Sequence, residues 1–131
     1  MGQQQLLLLV LSAIIVGIAI VVGINLFSEG AAQANQDAVT QDVTTIAARA
    51  QEWYRKPAQL GGGDHSYTGL TLTALNIDST NANGTYRVLP TSGTITITGI
   101  GVEDPNNDGV NLTVVATYDS TGTQTLFTVT Q

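Results

Sequence analysis

Few side chains in this sequence could do acid–base, nucleophilic or metal chemistry. It holds no cysteine and a single histidine, His65, which excludes cysteine–histidine pairs and histidine-rich zinc sites. A serine-type triad would need His65 as its base. That residue sits in Leu60-Gly61-Gly62-Gly63-Asp64-His65-Ser66-Tyr67, a glycine-rich loop with no nucleophile elbow nearby. No catalytic set is expected, and His65 reads as an ordinary loop residue. The best metal candidate is Asp104-Pro105-Asn106-Asn107-Asp108-Gly109. Its D-x-N-x-D-G pattern matches the first half of a calcium-binding loop, with Asp104, Asn106 and Asp108 as oxygen ligands and glycine permitting the turn. The position that should supply a bidentate glutamate is Val115, so Glu103 or Asp78 would have to complete the shell. The competing reading is a metal-free hairpin turn over Asn107-Asp108-Gly109. On either reading no cofactor is required, and calcium is the one ligand the pattern could take. Asn83-Gly84-Thr85 and Asn111-Leu112-Thr113 match the glycosylation sequon, a pattern that is frequent by chance.

The charge balance narrows the partners. Ten acidic residues face only Arg49, Arg55, Lys56 and Arg87, for a net charge of -6. Polyanion binding rests on a basic face, so a lone subunit is not expected to bind nucleic acid. Aromatics make up 5% of residues, too few for a continuous stacked path for electrons. The low charged fraction with many Thr, Asn and Gln suits a surface outside the cell.

Two patterns of periodicity must hold these residues in place. Val39, Val43, Ile46, Ala47, Ala50, Trp53 and Tyr54 recur at helical spacing and form one apolar stripe. Arg55 and Lys56 then complement the helix dipole, and Pro57 ends the helix. No strong break separates this stretch from the apolar residues before it, so one helix of roughly 50 residues is expected. Downstream, period-two alternation predicts strands near residues 86–89, 94–102, 110–118 and 124–130. Asn83-Gly84, Thr91-Ser92-Gly93, Asn107-Asp108-Gly109 and Ser120-Thr121-Gly122 mark the turns. Short links imply an antiparallel meander, with Ile95, Ile97, Val114 and Leu126 facing the helix stripe. Residues 70–77 fit a short helix or a strand equally well. The fold class is therefore α+β: a long N-terminal helix on an antiparallel sheet of about four strands. It divides into residues 1–27, a membrane or filament-core helix; residues 28–57, its amphipathic continuation; and residues 58–131, a loop and sheet head.

Residues 6–27 carry no charge and are broken only by Ser12, Gly17, Gly23 and Asn25 among polar or small breakers. A bilayer core of about 30 Å needs about 20 helical residues, so the segment is long enough to span. Three readings compete. A cleaved secretory signal would have a basic start and a shorter apolar stretch, although Ala32-Gln33-Ala34 resembles a cleavage site. An ordinary anchor would carry cations on its cytoplasmic flank, whereas the first cation here is Arg49. The third reading is a segment whose leader is removed on the cytoplasmic side while the span is kept.

The third reading brings in a resemblance. Met1-Gly2-Gln3-Gln4-Gln5-Leu6-Leu7-Leu8-Leu9-Val10-Leu11 resembles the mature N-terminus of bacterial type IV major pilins, a class III N-terminus processed by a prepilin peptidase. The resemblance implies a methylated Met1, with cleavage after Gly2 as the alternative. It implies a structural subunit rather than an enzyme. An apolar helix of this kind first sits in the inner membrane and then, driven by a pilus assembly machinery, packs against copies of itself in an extracellular filament. Gln5, Leu6, Leu7, Leu8, Leu9, Val10, Ile14, Ile15 and Ile18 would make those contacts. Gln5 departs from the family, which carries a glutamate there to pair with a neighbour's N-terminal amine; an amide accepts a hydrogen bond but brings no opposite charge. Helix melting on assembly would fall at Gly17 and Gly23, whereas the alternative is that these glycines permit close helix packing. Archaeal pilins also lack the acidic residue, but the long amphipathic second half of the helix resembles bacterial pilins more. Within the family a secretion-system pseudopilin is the second reading. Outside it, the alternative is an exported binding module held by an ordinary anchor. Adhesion, motility and DNA uptake remain equal candidates for the filament's use.

Overall fold

The computed structural model describes residues 2–131. A single α-helix, α1, runs over Gly2–Arg55, followed by a short 3-10 turn at Ala58–Leu60 and four strands. The strands are β1 (Gly84–Pro90), β2 (Thr94–Gly101), β3 (Thr113–Asp119) and β4 (Gln124–Thr130). They pair in sequence order as an antiparallel meander. The α+β layout expected from the sequence is the one observed. The chain falls into two compact units, Met1–Ala31 and Ala32–Gln131, described separately below.

In Ala32–Gln131 the helix stripe does what its spacing predicts. Val39, Val43, Ile46, Ala47 and Ala50 are buried against Tyr86 of β1, Ile95 and Ile97 of β2 and Val114 and Ala116 of β3, with Trp53 and Tyr54 half-buried at the margin. Period two puts those strand residues on one face. The other face is rich in threonine, and Thr96 and Thr117 join their hydroxyls across β2 and β3 at 2.9 Å. Helix α1 ends before Pro57, and its last carbonyls are not left open. Gly63 N–H donates to Trp53 C=O (2.9 Å), His65 N–H to Tyr54 C=O (2.8 Å) and Asp64 N–H to Lys56 C=O (3.0 Å). The glycine-rich loop is thus the helix cap.

The helix lies close on β2. A Cβ at Gly99 would stand 2.7 Å from Val39 Cγ1 and 3.0 Å from Tyr86 Cε1, and one at Gly101 would collide with Asn35 Oδ1. Among the described residues Asn35 is the one buried polar side chain, tyrosines aside. Its Nδ2 donates to Asn83 C=O (2.8 Å), and its Oδ1 accepts from the N–H groups of Val102 (3.0 Å) and Glu103 (3.3 Å). One amide therefore ties the helix to the ends of two strands.

The structure corrects the expected sheet in three places. Leu126 does not face the helix: it pairs with Thr117 on the threonine face and is half-exposed, while Phe127 pairs with buried Ala116. A register shift between Thr117 and Tyr118 in the β3–β4 pairing separates what simple alternation would align. Strand β3 starts at Thr113 rather than Val110, although Leu112 is still held by bonds between its C=O and Gly101 N–H (2.7 Å) and between its N–H and Glu103 C=O (2.8 Å). Residues 70–77 form neither helix nor strand. They make a run of turns over residues 72–76 that buries Leu70 and Leu75.

The tight helix–sheet approach gives a direct test. Gly99→Val should destabilise the fold by about 1–3 kcal/mol, because extra methyls in a filled interface force backbone shifts. Gly93→Ala, where a Cβ meets nothing within 4 Å, should leave stability unchanged. Thermal melts of the full chain in detergent micelles compare the two.

Candidate functional site

The first candidate surface is the apolar part of α1. Sixteen large apolar side chains between positions 6 and 27 are 50–83% exposed, from Val22 to Phe27. Leu6, Leu7, Leu8, Leu9, Val10, Ile14, Ile15 and Ile18 are all among them. Among the described residues this is the one helix long and apolar enough to cross a membrane. Gln5 lies on its first turns, exposed; Met1 lies outside the described residues. Gly17 and Gly23 are helical. Gly17 lies in a shallow depression lined by Ile14, Ile18, Val21 and Val22, the kind of notch a neighbouring helix can enter.

The structure brings Asp104, Asn106 and Asp108 together in one loop, and each spends oxygens on the loop itself. Asp104 Oδ2 accepts from Gly109 N–H (2.8 Å), and Asp108 Oδ1 accepts from Val110 N–H (2.8 Å). Asn106 Oδ1 accepts from Asp108 N–H (3.3 Å), while Asn106 Nδ2 donates to Asp108 Oδ2 (3.1 Å) and to Gln131 C=O (2.9 Å). Asn107 and Gly109 adopt the left-handed conformation that such a turn requires. Asp104 Oδ1 is buried without a partner. Among the described residues no three His, Cys, Asp or Glu side chains stand close enough to hold a metal. The arrangement is that of a self-closed turn. His65 is exposed beside Asp64, 3.8 Å away, and rests its ring edgewise on Tyr54. Both sequon amides are engaged: Asn83 Nδ2 donates to Asp42 Oδ2 (2.9 Å) and Asn111 Nδ2 to Gly101 C=O (3.0 Å).

Sequence reasoning missed a polar cluster around Asp42. Its Oδ2 accepts from Asn81 Nδ2 (3.0 Å), Asn83 Nδ2 (2.9 Å) and the Tyr86 hydroxyl (2.5 Å). Burial pushes the carboxyl upward, but the donors from Asn83, Tyr86 and Asn81 together outweigh it and the net shift is downward. Tyr86 moves strongly the other way, through burial first and then its bond to the Asp42 carboxylate. An acidic residue between stripe positions Val39 and Ile46 was the available signal.

Comparison of the chain with protein-family models, curated proteins and solved structures finds no match.

Two outcomes follow from this geometry. Because the folded pKa of Asp42 is depressed, its contribution to stability is complete above its unfolded pKa of about 4 and disappears as pH falls through the lowered value. Asp42→Asn should therefore cost about 1 kcal/mol at neutral pH, discounted for solvent access, and nothing once the wild-type carboxyl is protonated; melts across the acid range read the convergence. Millimolar calcium or chelator should leave the melting temperature unchanged, since the 104–109 turn is already closed by its own hydrogen bonds and the glutamate that would complete a calcium loop is replaced by Val115.

Proposed function

We propose that the chain is the structural subunit of a filament of the type IV pilus kind, polymerising through its apolar N-terminal helix. The observation that carries this reading is the continuity of α1. One helix holds an uncharged segment with sixteen exposed large apolar side chains and, further along, a stripe committed to a four-stranded sheet. An apolar surface of that extent does not remain in water. Burying it yields about 1.5–3 kcal/mol per side chain relative to water, and lipid or copies of the same helix can serve. The inner membrane would hold the subunit first, and an assembly machinery would then drive its transfer into an extracellular filament. The N-terminal resemblance supports this reading over that of a plain anchor. Gln5 in place of the family's glutamate removes the charge that would draw in a neighbour's amine, so subunit register would rest on helix packing, to which the Gly17 notch contributes. The role is mechanical, and no reaction is assigned.

Electron microscopy of appendages sheared from cells producing the chain tests this, with N-terminal sequencing of the subunit. Filaments retaining residues 6–27 are expected. Ile15→Asp should abolish them, because an acidic residue at mid-helix costs about 2.5–3.5 kcal/mol in an apolar surround and finds no partner there. Filaments built from a product lacking those residues would refute the reading.

A further inference from the structure

Helix α1 and the turns at residues 72–77 enclose a polar groove whose charges are unpaired. Two clefts share Arg49. One of about 230 Å³ is lined by Asp42, Arg49, Asn76, Ile77 and Tyr86 among others. The other, of about 340 Å³, is lined by Arg49, Glu52, Trp53, Lys56, Ala74 and Leu75. Asp42 and Arg49 stand seven residues apart on α1, two helical turns or about 10.5 Å along one face, and Lys56 follows seven residues on, just past the helix end. Four charged groups thus line one groove, yet among the described residues the only ion pair within 4 Å is that of His65 with Asp64, outside it. Each is only partly used. Asp42 spends Oδ2 on its three donors, leaving Oδ1 without a partner among the described residues. Arg49 spends Nη1 on the carbonyls of Leu75 (3.1 Å) and Asn76 (3.3 Å), leaving Nε and Nη2. The two bonds fix the guanidinium at the junction of the clefts. Trp53 Nε1 is buried with no partner.

We propose that this groove is a binding site for a short neutral glycan, with one sugar ring in each cleft and Arg49 between them. A sugar hydroxyl both donates and accepts, so it can bond a carboxylate and a guanidinium that do not bond each other. Trp53, half-buried, lines one of the clefts, and its indole is the apolar group there that the C–H side of a ring would meet. Across the groove as a whole Asp42 and Glu52 balance Arg49 and Lys56, and the chain carries a net charge of -6; both disfavour an anionic ligand. The groove lies wholly within Ala32–Gln131, so the inference stands or falls separately from polymerisation.

Trp53 is the only tryptophan, so its fluorescence reports on this site alone. The full chain, in a phosphocholine detergent that carries no sugar, is titrated with cellobiose, maltose, lactose and diacetylchitobiose. At least one should change the Trp53 emission saturably in the millimolar range. Arg49→Gln and Glu52→Gln should each raise the midpoint about tenfold, the factor that corresponds to about 1.4 kcal/mol. Arg49→Gln could also unseat the turn it holds; Glu52 is exposed and makes no side-chain hydrogen bond among the described residues, so Glu52→Gln keeps the test open. A flat response to all four disaccharides overturns the proposal. So does a response unchanged by Glu52→Gln, or one given by heparin and by none of the neutral sugars.

Discussion

The close seating of α1 on β2 is the constraint on which the rest of Ala32–Gln131 depends. Where the helix crosses the sheet, positions 99 and 101 carry no side chain, and Asn35 fills the space that results with an amide bonded to three backbone groups. A largely buried amide satisfied on both its nitrogen and its oxygen fixes register more sharply than apolar contact does, because any slip breaks all three bonds and leaves the amide beneath the sheet without its partners. With the register set, Val39, Val43, Ile46 and Ala50 must fall on Tyr86, Ile95, Ile97 and Val114. Asp42, one turn beyond Val39, must fall beside Asn81, Asn83 and Tyr86. The polar groove is a by-product of the same alignment: the helix face next to the stripe meets the turns that bury Leu70 and Leu75.

Periodic parts of this fold were legible in the sequence, and parts made by accommodation were not. The stripe and the four strands rest on repeating burial, which leaves a repeating pattern of residue types. Leu126 was misplaced because the pairing of β4 slips at Thr117 and Tyr118, and a slip of one residue exchanges the two faces of a strand. Residues 70–77 carry apolar residues at spacings that suit helix and strand alike, and the structure uses them as anchors for turns. Asn35 sits four residues before Val39, in line with the stripe. That alignment was readable, whereas its three bonds join segments nearly fifty and seventy residues away and were not. For the site, the exposed apolar helix was visible from composition alone. The Asp42, Arg49 and Lys56 spacing was visible too, but a groove needs a second wall, and that wall comes from an aperiodic loop.

The apolar segment raises a different energetic question. Relative to water its burial is strongly favourable, but lipid and a bundle of like helices are both apolar, so exchanging one for the other returns almost none of that free energy. What separates the two states is packing and the entropy of side chains that packing immobilises. The segment is graded in that respect. Leu6, Leu7, Leu8, Leu9 and Leu11 come first; from Ile14 to Ile24 the large residues are all β-branched. In a helix a β-branched side chain already occupies essentially one χ1 rotamer, so little freedom remains to be lost when a neighbour docks. The rigid stretch also contains Gly17 and its depression between Ile14, Ile18 and Val21. Preset side chains around a notch are the combination that lets steric fit, rather than hydrophobicity, decide which neighbour is accepted. On the filament reading, specificity would accordingly be concentrated between residues 14 and 24. The leucine-rich turns before them would serve as adaptable contact, equally at home among lipid chains.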